Sequence, residues 1–225
     1  MDTTAMHIAN GIINGPVSAI FMVLAVAGLA VCVWRAGADL DDRLAPMAGL
    51  VAAFIFAVQM LNFGVLPGVS GHLLGGTLAV ILVGPWVGAL CVATVLIVQA
   101  LVFGDGGLTA LGLNITNMAL LGAAAAYLLV VLLLRFLPLS ATAFVASVIG
   151  VVIASQGFVL QYALGGTTDL SLAGVAGALA GVHLLIGIGE GLITATTVVT
   201  VAKVRPDLVY ALRRFRKPIV TEAAA

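Results

Sequence analysis

Charge is what this chain has least of. Aspartate, glutamate, lysine and arginine together make up 8% of its residues, against about a quarter in a soluble domain. So few charges cannot cover a water-facing surface, which excludes an ordinary soluble protein. The nine basic and nine acidic residues cancel to a formal net charge of zero, so there is no basic surface for nucleic acid. Cysteine is scarce as well. Cys32 and Cys91 both fall inside apolar runs and read as small core hydrophobes, not as a disulfide or a metal pair. Lysine occurs only at Lys203, before Val204, and at Lys217, before Pro218. A phosphate-binding P-loop needs Gly-Lys-Ser/Thr, so any ATP-driven step belongs to another chain. Met1–Pro16 has no positive region ahead of the first apolar run, and no secretory signal is expected.

What is abundant is apolar length. Hydrophobic residues make up 63% of the 225 positions and mean hydropathy is +1.27, the composition of an integral membrane protein. A span needs about 20 mostly apolar residues. Seven candidates follow, at 17–33, 44–62, 72–83, 86–103, 113–136, 142–164 and 172–204. The third is short and must be tilted, re-entrant or shielded by protein. The expected fold is an all-α integral membrane protein, a seven-helix bundle with one short helix, in which residues 1–225 form a single membrane domain. The 27 glycines suit close helix approach, and Gly187 and Gly191 form a GxxxG pair in the seventh span.

Charge orients the bundle. With seven spans, Arg35, Arg43, Arg135, Lys203, Arg205, Arg213, Arg214, Arg216 and Lys217 all fall on one side. The positive-inside rule makes that side cytoplasmic. The N-terminus is then outside, the C-terminus inside, and 205–225 a cytoplasmic tail. The expected location is the inner (cytoplasmic) membrane of a bacterium or archaeon. This topology gathers unusual residues on the outer face: His7 and Asn10 before the first span, His72 at the start of the third, and Asp105, Asn114 and Asn117 around the next outer loop. In the fifty residues from Gly68 to Asn117 only Asp105 is charged.

Several chemistries fit these residues. His7 and His72 read either as two interfacial histidines in water or as a metal pair, since imidazole is the commonest metal ligand. If Met6 is the first residue, Met6-His7 offers an amine, a backbone amide and an imidazole in one chelate, with His72 as a fourth nitrogen. Such tetragonal nitrogen sites suit Ni²⁺ or Cu²⁺. His183 and Glu190 lie two turns apart on one helical face. An intramembrane carboxylate suggests a channel or secondary carrier, or equally a buried glutamate bonded to a neighbouring helix. Gly68-Val69-Ser70-Gly71 matches the GxSG of rhomboid-type intramembrane proteases, with Ser70 as nucleophile and His183 as base, although the pattern is short for a glycine-rich chain.

Longer blocks are more specific. Met6-His7-Ile8, NFGVLPGVSGHLLGG, GPWVG, QALVFGDGGLTALGLNITNM and HLLIGIGEGLITA together resemble the substrate-capture membrane subunit of energy-coupling-factor transporters for cobalt and nickel, the CbiM/NikM family. The resemblance runs from Met6 to about Ala202. It implies Ni²⁺ or Co²⁺ as the transported substrate, for cobalamin biosynthesis or nickel enzymes, with no permanently bound cofactor and no catalysis in this chain. It implies a metal held by the Met6 amine, the His7 amide and imidazole, and His72. Ser70, Asn114, Asn117, His183 and Glu190 are candidates for supporting or transport roles. The implied partners are a transmembrane coupling subunit and cytoplasmic ATP-binding subunits, with a small accessory membrane subunit as a further candidate. Met1–Ala5 departs from the pattern, because it would block the amine. Translation from Met6 is the expectation.

Overall fold

The computed structural model describes residues 7–39, 44–60, 63–66 and 69–215. Its frame is helical. The first helix, α1 (Gly15–Asp39), starts where the Asn14 side chain accepts the Val17 N–H at 3.0 Å. Pro16 in its first turn costs no hydrogen bond there. At 1.5 Å per residue, α1 and the later helices α7 (Leu139–Gly165) and α8 (Leu172–Val204) are long enough to cross a bilayer. So are the continuous helical stretches Pro85–Phe103 and Leu108–Leu133. The second helix, α2 (Leu44–Gln59), is apolar but shorter. The short third helix, α3 (Gly76–Val83), has all eight residues buried. The alternatives for the third span therefore resolve in favour of shielding by protein.

Among the described residues the helical segments thus number seven up to Val204, as expected, with shifted boundaries. The third helix begins at Gly76, so His72 lies in the extended segment that leads into it. The fifth helical stretch begins at Leu108, ahead of the expected 113. The segment after α8 folds back as a short helix, α9 (Tyr210–Phe215), packed against α3. An unforeseen antiparallel hairpin, β1 (Phe63–Leu66) and β2 (Val69–Gly71), joins α2 to α3 and pairs Phe63 with Gly71. It delivers His72 to its place.

Helix α3 lies at the centre, in contact with α2, α4 (Pro85–Val98), α6 (Gly122–Leu133), α7 and α8. Gly84, at φ +88°, turns the chain from α3 into α4, and Pro85 starts the next helix. A side chain at Gly84 would press on the Tyr210 ring. Helices α7 and α8 form an antiparallel pair closed by the predicted glycines. A Cβ on Gly187 would stand 2.9 Å from Val148 Cα, and one on Gly191 2.7 Å from Phe144 Cδ2. Lipid is as apolar as the helix faces, so such contacts act through dispersion and shape. Val23, Val26, Leu50, Leu128, Phe136 and Leu192 face outward, as a lipid-facing belt requires.

Two helical stretches widen into π turns. One is Gln99–Phe103, which ends the α4 stretch. The other is Ile115–Leu121, between α5 (Leu111–Asn114) and α6. Each inserts extra backbone and rotates the residues beyond it. Both border the candidate site.

Candidate metal centre

Residues 7–14 lie across the end of the bundle where α1 begins, and three other segments hold them. Asn114 Oδ1 accepts the Ile8 N–H at 3.1 Å, and its Nδ2 donates to the Ile8 carbonyl at 3.3 Å. A carboxamide offers one peptide unit's worth of donor and acceptor, so it reads that backbone as a strand partner would. Asn10 Oδ1 accepts from the Thr109 N–H at 3.1 Å and from its hydroxyl at 2.5 Å. Thr167 donates its hydroxyl to Gly11 O at 2.7 Å and its N–H to Ile12 O at 3.1 Å. Irregular backbone at membrane depth persists only when its polar groups are satisfied in this way.

The clamped segment places His7. Its Nδ1 stands 3.2 Å from Asp105 Oδ2, with the two side chains 2% and 7% exposed. Asp105 is aimed by the end of the α4 stretch. Gly104, at φ +68°, returns its N–H to Gln99 O, and the Asp105 N–H reaches the same carbonyl at 3.1 Å. Gly106 and Gly107 also have positive φ, and side chains there would collide with His7 and Asn10. The Gly-Asp-Gly-Gly turn is a bare cup with one carboxylate in it.

His72 arrives from the hairpin. Its ring centroid lies 4.7 Å from that of His7, with the planes tilted by 52°. His72 Nδ1 is 2.9 Å from Leu73 O. A carbonyl can only accept, so Nδ1 carries the proton and Nε2 the lone pair. The strap that follows is pinned on both sides of Leu74. Gln59 Nε2 donates to Leu74 O at 2.8 Å, and the Leu74 N–H donates to Glu190 Oε2 at 2.6 Å. The amide of Gly75 faces the same carboxylate. Glu190, 1% exposed, is thus bonded to the non-helical strap before α3, and not to a neighbouring helix as its sequence context suggested.

Behind the two rings lies a cavity of about 250 Å³, bordered by His7, His72, Asn114, Asn117, Ser155 and His183. All three histidines of the chain meet there. His183 Nδ1 is 2.9 Å from Leu179 O, which leaves the lone pair on Nε2. Asn117 exchanges hydrogen bonds with Gln161, at 2.8 and 3.0 Å, and fastens the π turn to α7. Glu190 does not line this cavity.

The structure therefore brings His7, His72, Asn114, Asn117 and His183 together and sets Glu190 behind the strap. Met6 and the Ser70 side chain lie outside the described residues; the Ser70 backbone pairs with Gly64 in the hairpin. The sequence reading passed over Gln59, Gln161, Thr109 and Thr167. The signal for the two glutamines is general: each is fully buried, and an amide inside an apolar helix needs a partner.

The chain is similar to known proteins in sequence and in fold. Residues 7–208 match the family model described as "Cobalt uptake substrate-specific transmembrane region", CbiM. The chain is 38% identical, over 91% of its own length and 68% of the relative's, to a protein of Archaeoglobus fulgidus assigned as a fused nickel transport protein, NikMN. It is 31% identical to the cobalt transport protein CbiM of Sorangium cellulosum, over 94% of this chain and 97% of that one. A crystal structure of a truncated transition metal transporter superposes with a TM-score of 0.81 at 27% identity, covering 88% of this chain and 99% of the other. A match over nearly the whole chain, in sequence and in fold, places this protein in the CbiM family of cobalt-uptake substrate-specific membrane components.

Proposed function

We propose that this chain, a membrane component of cobalt and nickel transport, captures Ni²⁺ or Co²⁺ where His7 meets His72. The observation that carries the reading is the 4.7 Å approach of these two rings beside a largely apolar cavity that Asn114, Asn117 and His183 also border. His72 presents Nε2. His7 contributes through a chelate, because its amide nitrogen and Nδ1 close a six-membered ring around an ion. The amine of Met6 adds a third nitrogen when Met6 is the first residue. In the structure His7 Nδ1 faces Asp105, so this chelate exchanges the carboxylate neighbour for the ion. Asp105 then stays close and offsets the charge of a divalent cation in a poorly solvated place. The Asn114 clamp on Ile8 supports this reading, since it leaves residue 7 little conformational entropy to lose on binding.

The finer reading adds energy and direction. ATP-binding partner subunits, with a transmembrane coupling subunit, drive uptake; the lack of a Gly-Lys-Ser/Thr sequence supports this. The chain acts as one membrane domain. Its metal-binding end faces out and its basic end faces the cytoplasm, in keeping with Arg35, Arg135, Lys203 and Arg205 at the opposite helix ends from His7. The test is calorimetric titration of Ni²⁺ and Co²⁺ into the full chain, with mass determination of its N-terminus. His7→Ala and His72→Ala should each abolish tight binding. Unchanged affinity in either variant overturns the site.

A further inference from the structure

A second cleft among the described residues is larger than the histidine cavity. It lies between α1, the start of α4, the α6 stretch and α9, and encloses about 840 Å³. One end carries Arg35 and Arg214 with Trp86, Tyr127 and Tyr210 beside them. Neither arginine has an acidic partner among the described residues. Arg35 Cζ lies 4.7 Å from the Trp34 ring and 5.9 Å from that of Trp86. These cation–π contacts hold the guanidinium among the aromatic residues that favour a membrane interface. From there the cleft runs along α1 to Gly28, where Leu120 closes it: a Cβ on Gly28 would collide with that side chain. The distance from Arg35 to Gly28 is seven residues of helix, about 10 Å. Its walls are Val31, Cys32, Ala89, Ala123, Ala124 and Leu128, without a charge.

We propose that this cleft is a binding site for one anionic phospholipid. The phosphate sits between Arg35 and Arg214, and the first part of an acyl chain lies in the blind groove toward Gly28. Two observations favour a lipid over a soluble anion or an acidic protein segment. The positive end is continuous with an apolar groove along α1, a helix long and apolar enough to cross a membrane, and small residues, Cys32, Ala89, Ala123 and Ala124, line much of that groove. Basic pockets between membrane helices recognise anionic headgroups in this manner. An open apolar groove in a bilayer fills with lipid, because an unfilled one forfeits dispersion contacts.

The test uses the full chain, delipidated in detergent and titrated with phosphatidylglycerol or phosphatidylcholine of identical acyl chains. Binding is read by native mass spectrometry and thermal melting. Two arginines should give a preference for phosphatidylglycerol of roughly 25-fold. Arg35→Gln/Arg214→Gln should reduce it to near parity, while the charge-matched control Lys203→Gln/Arg205→Gln should keep it. Ala124→Phe, which fills the groove, should weaken retention of both lipids without touching Ni²⁺ binding at the far end. Equal binding of the two lipids by the wild-type chain overturns the proposal, and that comparison needs no variant. So does a preference that survives loss of both arginines, or retention untouched by Ala124→Phe. A melting shift reproduced by inorganic phosphate alone would mark a soluble-anion site and would also overturn it.

Discussion

Glu190 Oε2 accepts the backbone N–H of Leu74 at 2.6 Å across 116 residues of sequence. That bond ties α8 to the strap that carries His72, and Gln59 closes on the other side of the same residue. On the proposed reading of the metal site, that bond gives Glu190 a positioning role rather than a ligand's. Its removal leaves a buried amide unpaired, which costs about 1–3 kcal/mol. Glu190→Ala should lower the melting temperature and weaken Ni²⁺ binding roughly tenfold. Glu190→Gln keeps a carbonyl acceptor and should recover most of the affinity. Unchanged binding in Glu190→Ala, with proton-driven uptake lost in Glu190→Gln, would favour a secondary carrier instead.

Asn114 should act on the other half of the site. Asn114→Ala removes both bonds to Ile8 and frees the segment that aims His7. The expected loss is about 1–2 kcal/mol, or roughly 5- to 30-fold in metal affinity. Asn117→Ala instead breaks the pair with Gln161 and should lower thermal stability more than affinity. Calorimetry and melting on both variants separate the roles; the reverse pattern would contradict the clamp.

Metal affinity should fall as pH drops, because the ion competes with protons for imidazole, amide and amine nitrogens. His183→Ala should leave capture nearly intact and slow uptake by the assembled transporter, since His183 borders the cavity behind the two rings. A chain retaining Met1–Ala5 that binds as tightly as one beginning at Met6 would rule out the amine as a ligand.

Glycine substitutions should fail in different ways. Gly191→Leu pushes on Phe144 and should damage folding and yield. Gly106 looks from the sequence like a neutral loop control, but its Cβ would stand 2.7 Å from His7 Cβ, and its φ is +81°. Gly106→Leu should therefore spoil metal binding. Gly177, where an added Cβ would meet nothing within 4 Å, is the proper control. Equal yields for Gly191→Leu and Gly177→Leu would count against a packed glycine face.

Gly165 itself is buried against Val17 and Asn14, so a probe of orientation belongs on the exposed Asp169 of the same loop. A cysteine there should react with a membrane-impermeant thiol reagent on intact cells, and one at the exposed Pro206 should not. The background chain should lack Cys32 and Cys91, both of which are buried. Labelling of both sites from outside would contradict the proposed orientation.

Much of this protein is legible one residue after another. Hydrophobic length marks the helices, because lipid tolerates little else, and the Gly187/Gly191 spacing marks a packed face, because close approach needs small residues at one helical period. The family blocks single out His7 and His72. Other features come only from contacts between distant segments. The hairpin over 63–71 sits between two apolar runs and has no strong alternation of its own. The start of α3 depends on Gly75 turning left-handed against Ile55. Glu190 reads alone as a carrier carboxylate or a structural bond, and its partner, the Leu74 amide, comes from a segment 116 residues away that no local spacing points to. Composition and local spacing determined that the chain crosses a membrane and where it has imidazoles to offer. Tertiary structure decided which polar groups meet, because a buried donor or acceptor takes its role from the partner that another part of the chain brings to it.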